Sequence, residues 1–191
     1  MSRSAQFMAA MNAYDEDRNE EALRLMENCA EHGDPVACYL AALWYRNGEG
    51  AKVDLKRSNE LMRRLELLAQ GGDNEAQWEL SCKFRWGNLI SIDIAQANHW
   101  LETAAEGGHG DAQHHLAWYL ETGQYGYAQD KQAAEQWYQR AFQQEHPETL
   151  YTFALREFKG GRITEKAIAL LKRAADKGFK QAEHVLREYT H

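Results

Sequence analysis

The chain has few of the residues that staple or interrupt a fold. Among 191 residues there are two prolines, Pro35 and Pro147, each followed by helix-forming residues, and three cysteines, Cys29, Cys38 and Cys82, with no C-x-x-C pair. An odd cysteine count cannot pair fully within one chain, so a disulfide framework is excluded and reduced thiols are expected. β-Branched residues are sparse beside Ala, Leu, Glu and Gln, which points to an all-α protein. No apolar run approaches the roughly 20 residues of a spanning helix, and the first fifteen residues show neither a basic start with an apolar stretch nor a cleavage site. The chain therefore reads as soluble and cytoplasmic. Positive charge is also in deficit: 22 Lys and Arg stand against 29 Asp and Glu, a net charge of -7, which argues against nucleic acid as a partner. The sequence contains no G-x-S-x-G elbow, phosphate-binding glycine loop or H-E-x-x-H motif.

What is present is a repeat. Ala37, Ala76, Ala112, Thr149 and Ala182 are spaced by 39, 36, 37 and 33 residues, and the first four stand eleven residues before Gly48, Gly87, Gly123 and Gly160. The pairs Cys29-Ala30, Leu68-Ala69, Ala104-Ala105, Ala141-Phe142 and Ala174-Ala175 keep the same register, and most are followed by a glycine: Gly33, Gly71, Gly107 and Gly178. Each unit reads as two helices. In the stretch from Asp93, residues Ile94, Ala97, Leu101 and Ala104 recur at steps of three and four behind an acid able to cap free amides, and Asp54 and Asp130 stand at the matching places. The glycine after each small pair suits a left-handed helix end, and the next helix opens at Asp34-Pro35, Asp73-Asn74, Asp111 or Pro147-Glu148. Ala42, Ser81, Ala117 and Ala154 let paired helices approach closely, with Tyr45, Phe84 and Leu120 filling the space beyond. A hairpin of this size cannot bury its apolar face alone, so hairpins must stack. The expected fold is an all-α solenoid of stacked antiparallel hairpins: an atypical unit at 4–33, repeats at 34–72, 73–110, 111–146 and 147–179, and a capping helix at 180–191.

These residues resemble the Sel-one-like repeat family, a relative of the tetratricopeptide repeat, with a pattern near A-x-x-x-L-G-x-x-Y-x-x-G, a loop, then D-x-x-x-A-x-x-W-x-x-x-A-A-x-x-G. Ala112, Leu116, Ala117, Gly123, Asp130, Ala134, Trp137, Ala141 and Phe142 carry the match in one repeat. Ala76, Leu80, Ser81, Phe84, Gly87, Asp93, Ala97, Trp100, Ala104, Ala105 and Gly107 carry it in another. The repeat at 34–72 departs by a second helix about one turn longer, and the repeat at 147–179 by a short Gly160-Gly161-Arg162 loop and Leu170 in place of the Trp. The resemblance implies a right-handed superhelix, a bacterial source and a scaffold that holds another protein, with an adaptor or a toxin-neutralising immunity protein as the forms such a scaffold takes.

Transferred by analogy, the tetratricopeptide register sets a concave partner-binding face of Tyr39, Leu43, Arg46, Trp78, Arg85, Trp86, His114, Trp118, Glu121, Tyr151, Leu155, Phe158 and His184. Aromatics interspersed with Arg are the mixture enriched at binding hot spots. Aromatics at helical spacing are more often core, and Trp100 and Trp137 match the packing position. Charge is uneven: residues 156–191 hold nine Lys or Arg against five Asp or Glu, residues 1–155 hold 13 against 24. A solvated surface is the simpler explanation; steering of a basic partner or weak head-to-tail self-association of a monomer is the functional one.

Two enzyme readings stand beside the scaffold. The run from His109 to His115 places Asp111 and His115 four apart, as metal ligands would be, but the same residues open a helix, where Asp111 caps or sits in the first turn and His115 packs. Cys82 beside His114 across neighbouring repeats would make a nucleophile and base, whereas a half-buried thiol is usually inert filler. His99, His146, His184 and His191 show no partner in the sequence. The expectation is a non-catalytic chain without metal or cofactor, bound to a protein and to neither nucleic acid nor membrane.

Overall fold

The computed structural model describes residues 4–87, 89–158 and 163–189. Gly160, the Gly160-Gly161-Arg162 loop and His191 lie outside the described residues. Eleven helices and no strands are found among those described: α1 (Ala5–Asp15), α2 (Asn19–Glu31), α3 (Pro35–Asn47), α4 (Leu55–Gln70), α5 (Asn74–Trp86), α6 (Ile94–Glu106), α7 (Gly110–Thr122), α8 (Lys131–Gln143), α9 (Pro147–Arg156), α10 (Glu165–Asp176) and α11 (Lys180–Tyr189). They pack as successive hairpins, α1 with α2 through α9 with α10, and α11 lies against α10. This is an α-solenoid of helical hairpins. Contacts divide it into two compact units, Met1–Gly107 and Gly108–His191. No helix among the described residues is long and apolar enough to cross a membrane.

Helix starts are encoded locally. Asp34, Asp54, Asp73, Asp93 and Asp130 each cap a helix, their carboxylates accepting from the amides of Ala37, Arg57, Ala76, Gln96 and Ala133 at 2.8 to 3.0 Å. The amides of Ala37 and Ala76 belong to the marker series, so the small residue is also the capped one. At the third unit the cap is His109, whose Nδ1 accepts from Ala112, and Asp111 sits in the first turn. Helix ends follow the glycines in part. Gly48, Gly87 and Gly123 are left-handed, as the spacing predicts. After the small pairs, Gly33 and Gly178 are left-handed, but Gly71 and Gly107 stay right-handed and the turn passes to Gly72 and Gly108. The left-handed glycine thus stands three residues after the second member of the pair in all four cases, and the first glycine of an adjoining two is the right-handed C-cap. As expected, α4 is longer than its counterparts, 16 residues against 13 in α6 and α8.

The core of each unit is a seam of small residues. Ala37, Ala76, Ala112, Thr149 and Ala182 are wholly buried, as are Ala42, Ala117 and Ala154, with Ser81 almost so. In the first unit the Tyr14 and Trp44 rings stack at 4.8 Å, and the Tyr14 hydroxyl donates to Glu49 at 2.7 Å. Arg57 on α4 pairs with Glu27 on α2 at 2.6 Å, tying adjacent hairpins at the surface. Gly50 is left-handed, with a φ of 77°, and a Cβ there would run into the backbone carbonyl of Asn19 at the start of α2. Gly72 is equally left-handed, at 92°, but faces open space. Gly50→Ala is therefore expected to destabilise the protein by about 2 kcal/mol and Gly72→Ala by about 1, since only the former adds a backbone clash to the strain of positive φ. Urea unfolding of the two variants checks the order.

Candidate partner-binding cleft

In the second unit the first helices of the hairpins open a cleft of about 450 Å³. From α7 come His114, Trp118 and Glu121, from α8 Tyr138, from α9 Glu148 and Tyr151, and Phe179 adds a ring ahead of α11. Four of the residues expected from the transferred register, His114, Trp118, Glu121 and Tyr151, thus border one cavity. Trp118 is 37% exposed, Tyr151 is half-buried, and the Tyr151 and Phe179 rings lie 5.2 Å apart. Leu155 and His184 are exposed on α9 and α11, and Phe158 is half-buried against Tyr189. His184 lies 3.3 Å from Glu188 on its own helix.

In the first unit the structure places Leu43 and Trp78 half-buried, Arg46 exposed and Trp86 58% exposed. Three residues of the expected face turn inward. Tyr39, 8% exposed, lies beneath the Lys83 ammonium, 3.5 Å from its ring centroid, and Arg85, 4% exposed, donates to Asn98 at 2.9 Å. His114, 5% exposed, is held by Thr149. Long side chains with a neighbour to receive them leave the surface, and a register borrowed by position does not register that. Trp100 and Trp137 are half-buried: Trp100 packs on the first unit's core, and the Arg140 guanidinium lies 4.3 Å from the Trp137 ring.

Charge in the cleft is arranged by two networks. The Tyr138 hydroxyl donates to Glu121 Oε2 at 3.0 Å, and Glu121 Oε1 accepts from Arg156 at 2.8 Å. The guanidinium of Arg156 also holds Glu135 at 3.0 Å and lies over the Tyr138 and Phe153 rings. Burial and the Glu121 carboxylate push the Tyr138 phenol well above its usual range. The second network runs through histidines. His146 Nε2 lies 3.1 Å from Asp111 Oδ1, His146 Nδ1 3.2 Å from the Thr149 hydroxyl, and that hydroxyl 2.9 Å from His114 Nδ1. The hydrogen bond from His146 holds the Asp111 carboxyl below its usual range. Burial, and then the nearby His115 and His146 rings, push His114 down to about 3. His146, which shows no partner in the sequence, is a member of this chain. The signal lay three residues ahead of the marker series, where Asp34 and Asp73 give way to His109 and His146 in the second unit.

The run from His109 to His115 spans the start of α7. His109 caps α7, and His115 Nδ1 lies 2.9 Å from the Asp111 carbonyl. Among the described residues no three His, Cys, Asp or Glu are grouped as metal ligands. None of the three cysteines is in a disulfide; Cys38 is buried, which pushes it up to about 11, and Cys82 is half-buried. His114 also sets an acid sensitivity. A base whose folded pKa is depressed contributes stability that is full above the unfolded value, near 6.5, and is lost as pH falls toward 3. Between these limits His114 contributes a slope of up to about 1.4 kcal/mol per pH unit. Urea unfolding of wild type and His114→Gln at pH 7.5 and 5 is expected to show the wild type losing more stability on acidification.

A model of the Sel1 repeat matches this chain at residues 35–65, 74–109, 110–146 and 164–179. Among solved structures, a Sel1 repeat protein from Oxalobacter formigenes is 25% identical with a TM-score of 0.63, over 89% of this chain and 49% of its own. A protective antigen of uropathogenic Escherichia coli strains, displaying an SLR fold, is 25% identical with a TM-score of 0.58, over 86% of this chain and 35% of its own. The chain thus spans about half the length of the first and a third of the second. An immunity protein from Pseudomonas aeruginosa is 15% identical at a TM-score of 0.43, over 95% of this chain and 84% of its own, a likeness too loose to carry argument. Sel1 repeat proteins are protein-interaction scaffolds, generally without catalysis. Four matched stretches laid over successive helical hairpins place the chain in the Sel1 repeat family.

Proposed function

We propose that this chain is a non-catalytic scaffold that holds a segment of a partner protein in the cleft between α7 and α9. The observation that carries the reading is the cleft itself. Trp118 and Tyr151 bring aromatic surface to a concavity of about 450 Å³ whose polar groups, Glu121, Tyr138 and His114, are fixed by hydrogen bonds. Rigid rings beside preorganised polar groups are the composition of a binding hot spot, because little side-chain freedom remains to be lost on association. The exposed Leu155 and His184 add further surface on α9 and α11. A pKa near 3 leaves His114 too weak a base for proton abstraction at neutral pH, which supports the non-catalytic reading over one that pairs it with Cys82.

The test is capture from the source cell lysate with wild type and with Trp118→Ala/Tyr151→Ala, whose helical content is first verified by circular dichroism. A stoichiometric partner retained by wild type and lost at least tenfold in the variant is expected; identical capture sinks the reading. The nature of the complex then separates two roles. One very tight partner with its own active site covered marks an immunity protein, and several partners of moderate affinity mark an adaptor.

A further inference from the structure

The histidine chain fixes which protons face the cleft. Asp111, held ionised, can only accept, so the His146 proton sits on Nε2 and points to it. Nδ1 of the same ring faces the Thr149 hydroxyl, and with Nδ1 as acceptor that hydroxyl, which has one proton to give, donates there. In that arrangement the same hydroxyl oxygen, 2.9 Å from His114 Nδ1, accepts the proton of that nitrogen. The remaining nitrogen of His114, Nε2, is left with a lone pair, 3.6 Å from Glu148 Oε1. In this tautomer two acceptors face each other, one of them on a side chain that is 5% exposed. The Glu121 carboxylate and the Trp118, Tyr138 and Tyr151 rings stand around the same cleft, and among the described residues no lysine or arginine lines it. Arg156 is turned to Glu121 and Glu135.

We propose that this cleft takes an arginine side chain of the partner protein, its guanidinium bridging His114 Nε2 and Glu148 and its plane resting against the aromatic wall. The inference rests on the reading of the cleft as the partner site. Charge complementarity selects the occupant: the charged side chains lining the cleft are the Glu121 and Glu148 carboxylates, with no lysine or arginine among the described lining, and the Trp118 and Tyr151 rings offer π faces, which attract a cation. A guanidinium is planar, always charged and carries diverging N–H donors, so it satisfies both acceptors and stacks at once, whereas an ammonium is compact and more strongly hydrated.

Two measurements on the full chain test this. Long-range 15N–1H correlation of the imidazoles at pH 7.5 reads the tautomer of His114 directly. The Nδ1–H form is expected, and the Nε2–H form overturns the proposal. Titration with methylguanidinium, followed at the Trp118 indole and the Thr149 methyl, is expected to saturate with a millimolar Kd. Methylammonium is expected to bind at least threefold more weakly, and neutral methylurea not to bind. Glu148→Gln is expected to weaken methylguanidinium at least fivefold, and Glu165→Gln at the start of α10 to leave it unchanged. Absence of cleft shifts, equal binding of methylurea or methylammonium, or indifference to Glu148→Gln overturns the proposal. Loss of partner capture in the Trp118→Ala/Tyr151→Ala variant alongside any of those results retires the arginine and leaves the scaffold reading standing; unchanged capture retires the scaffold reading itself.

Discussion

The solenoid depends on helices approaching closely enough for a two-helix unit to hide its apolar side in its neighbour. Alanine makes this possible. A larger residue at Ala37, Ala76 or Ala112 would hold the helices apart, and the flanking leucines and aromatics would lose the contacts that oppose the cost of ordering the chain. The capping carboxylates act at the same places, because the amide that Asp34 or Asp73 receives belongs to the alanine of the seam. Helix start and packing contact are thereby held in one register, and a shift in either would displace the other.

The second unit modifies the scheme at one seam position and at two capping places, His109 and His146. Thr149 occupies the seam position that alanine fills elsewhere, wholly buried, and puts a hydroxyl where its counterparts have only a methyl. A buried hydroxyl without partners is costly, and His114 and His146 supply them. The two histidines reach Thr149 because one lies on α7 and the other replaces the capping acid ahead of α9. The cleft is therefore the packing seam with one polar substitution carried through, and its electrostatic character descends from the interior.

The fold was legible because its signals recur. Spacing of the small residues, the capping acids and the glycines each located the helices, and they agreed. At the adjoining glycines, 71–72 and 107–108, the expected left-handed residue is the first of each two, whereas the second keeps the place of Gly33 and Gly178, three beyond the small pair. The cleft was legible at Trp118, Glu121 and Tyr151, whose helical positions carry their direction. Tyr39 and Arg85 turned inward because Lys83 and Asn98 receive them, contacts between helices that a register within one helix does not contain. His146 was missed for a related reason: its partners, Asp111 and Thr149, stand on two different helices, and only the exchange of Asp for His at the capping place hinted at a changed role.

Because each of the five capping aspartates binds within its own helix start and most packing joins neighbouring helices, little of this structure waits on distant parts of the chain. Such topologies form quickly, from several nuclei, since closing short loops costs little entropy. The same locality loosens cooperativity, so that Met1–Gly107 and Gly108–His191 have separate claims to being folded. A partner gripping the second unit would slow amide exchange there first, with the first unit protected only as far as coupling between hairpins carries it.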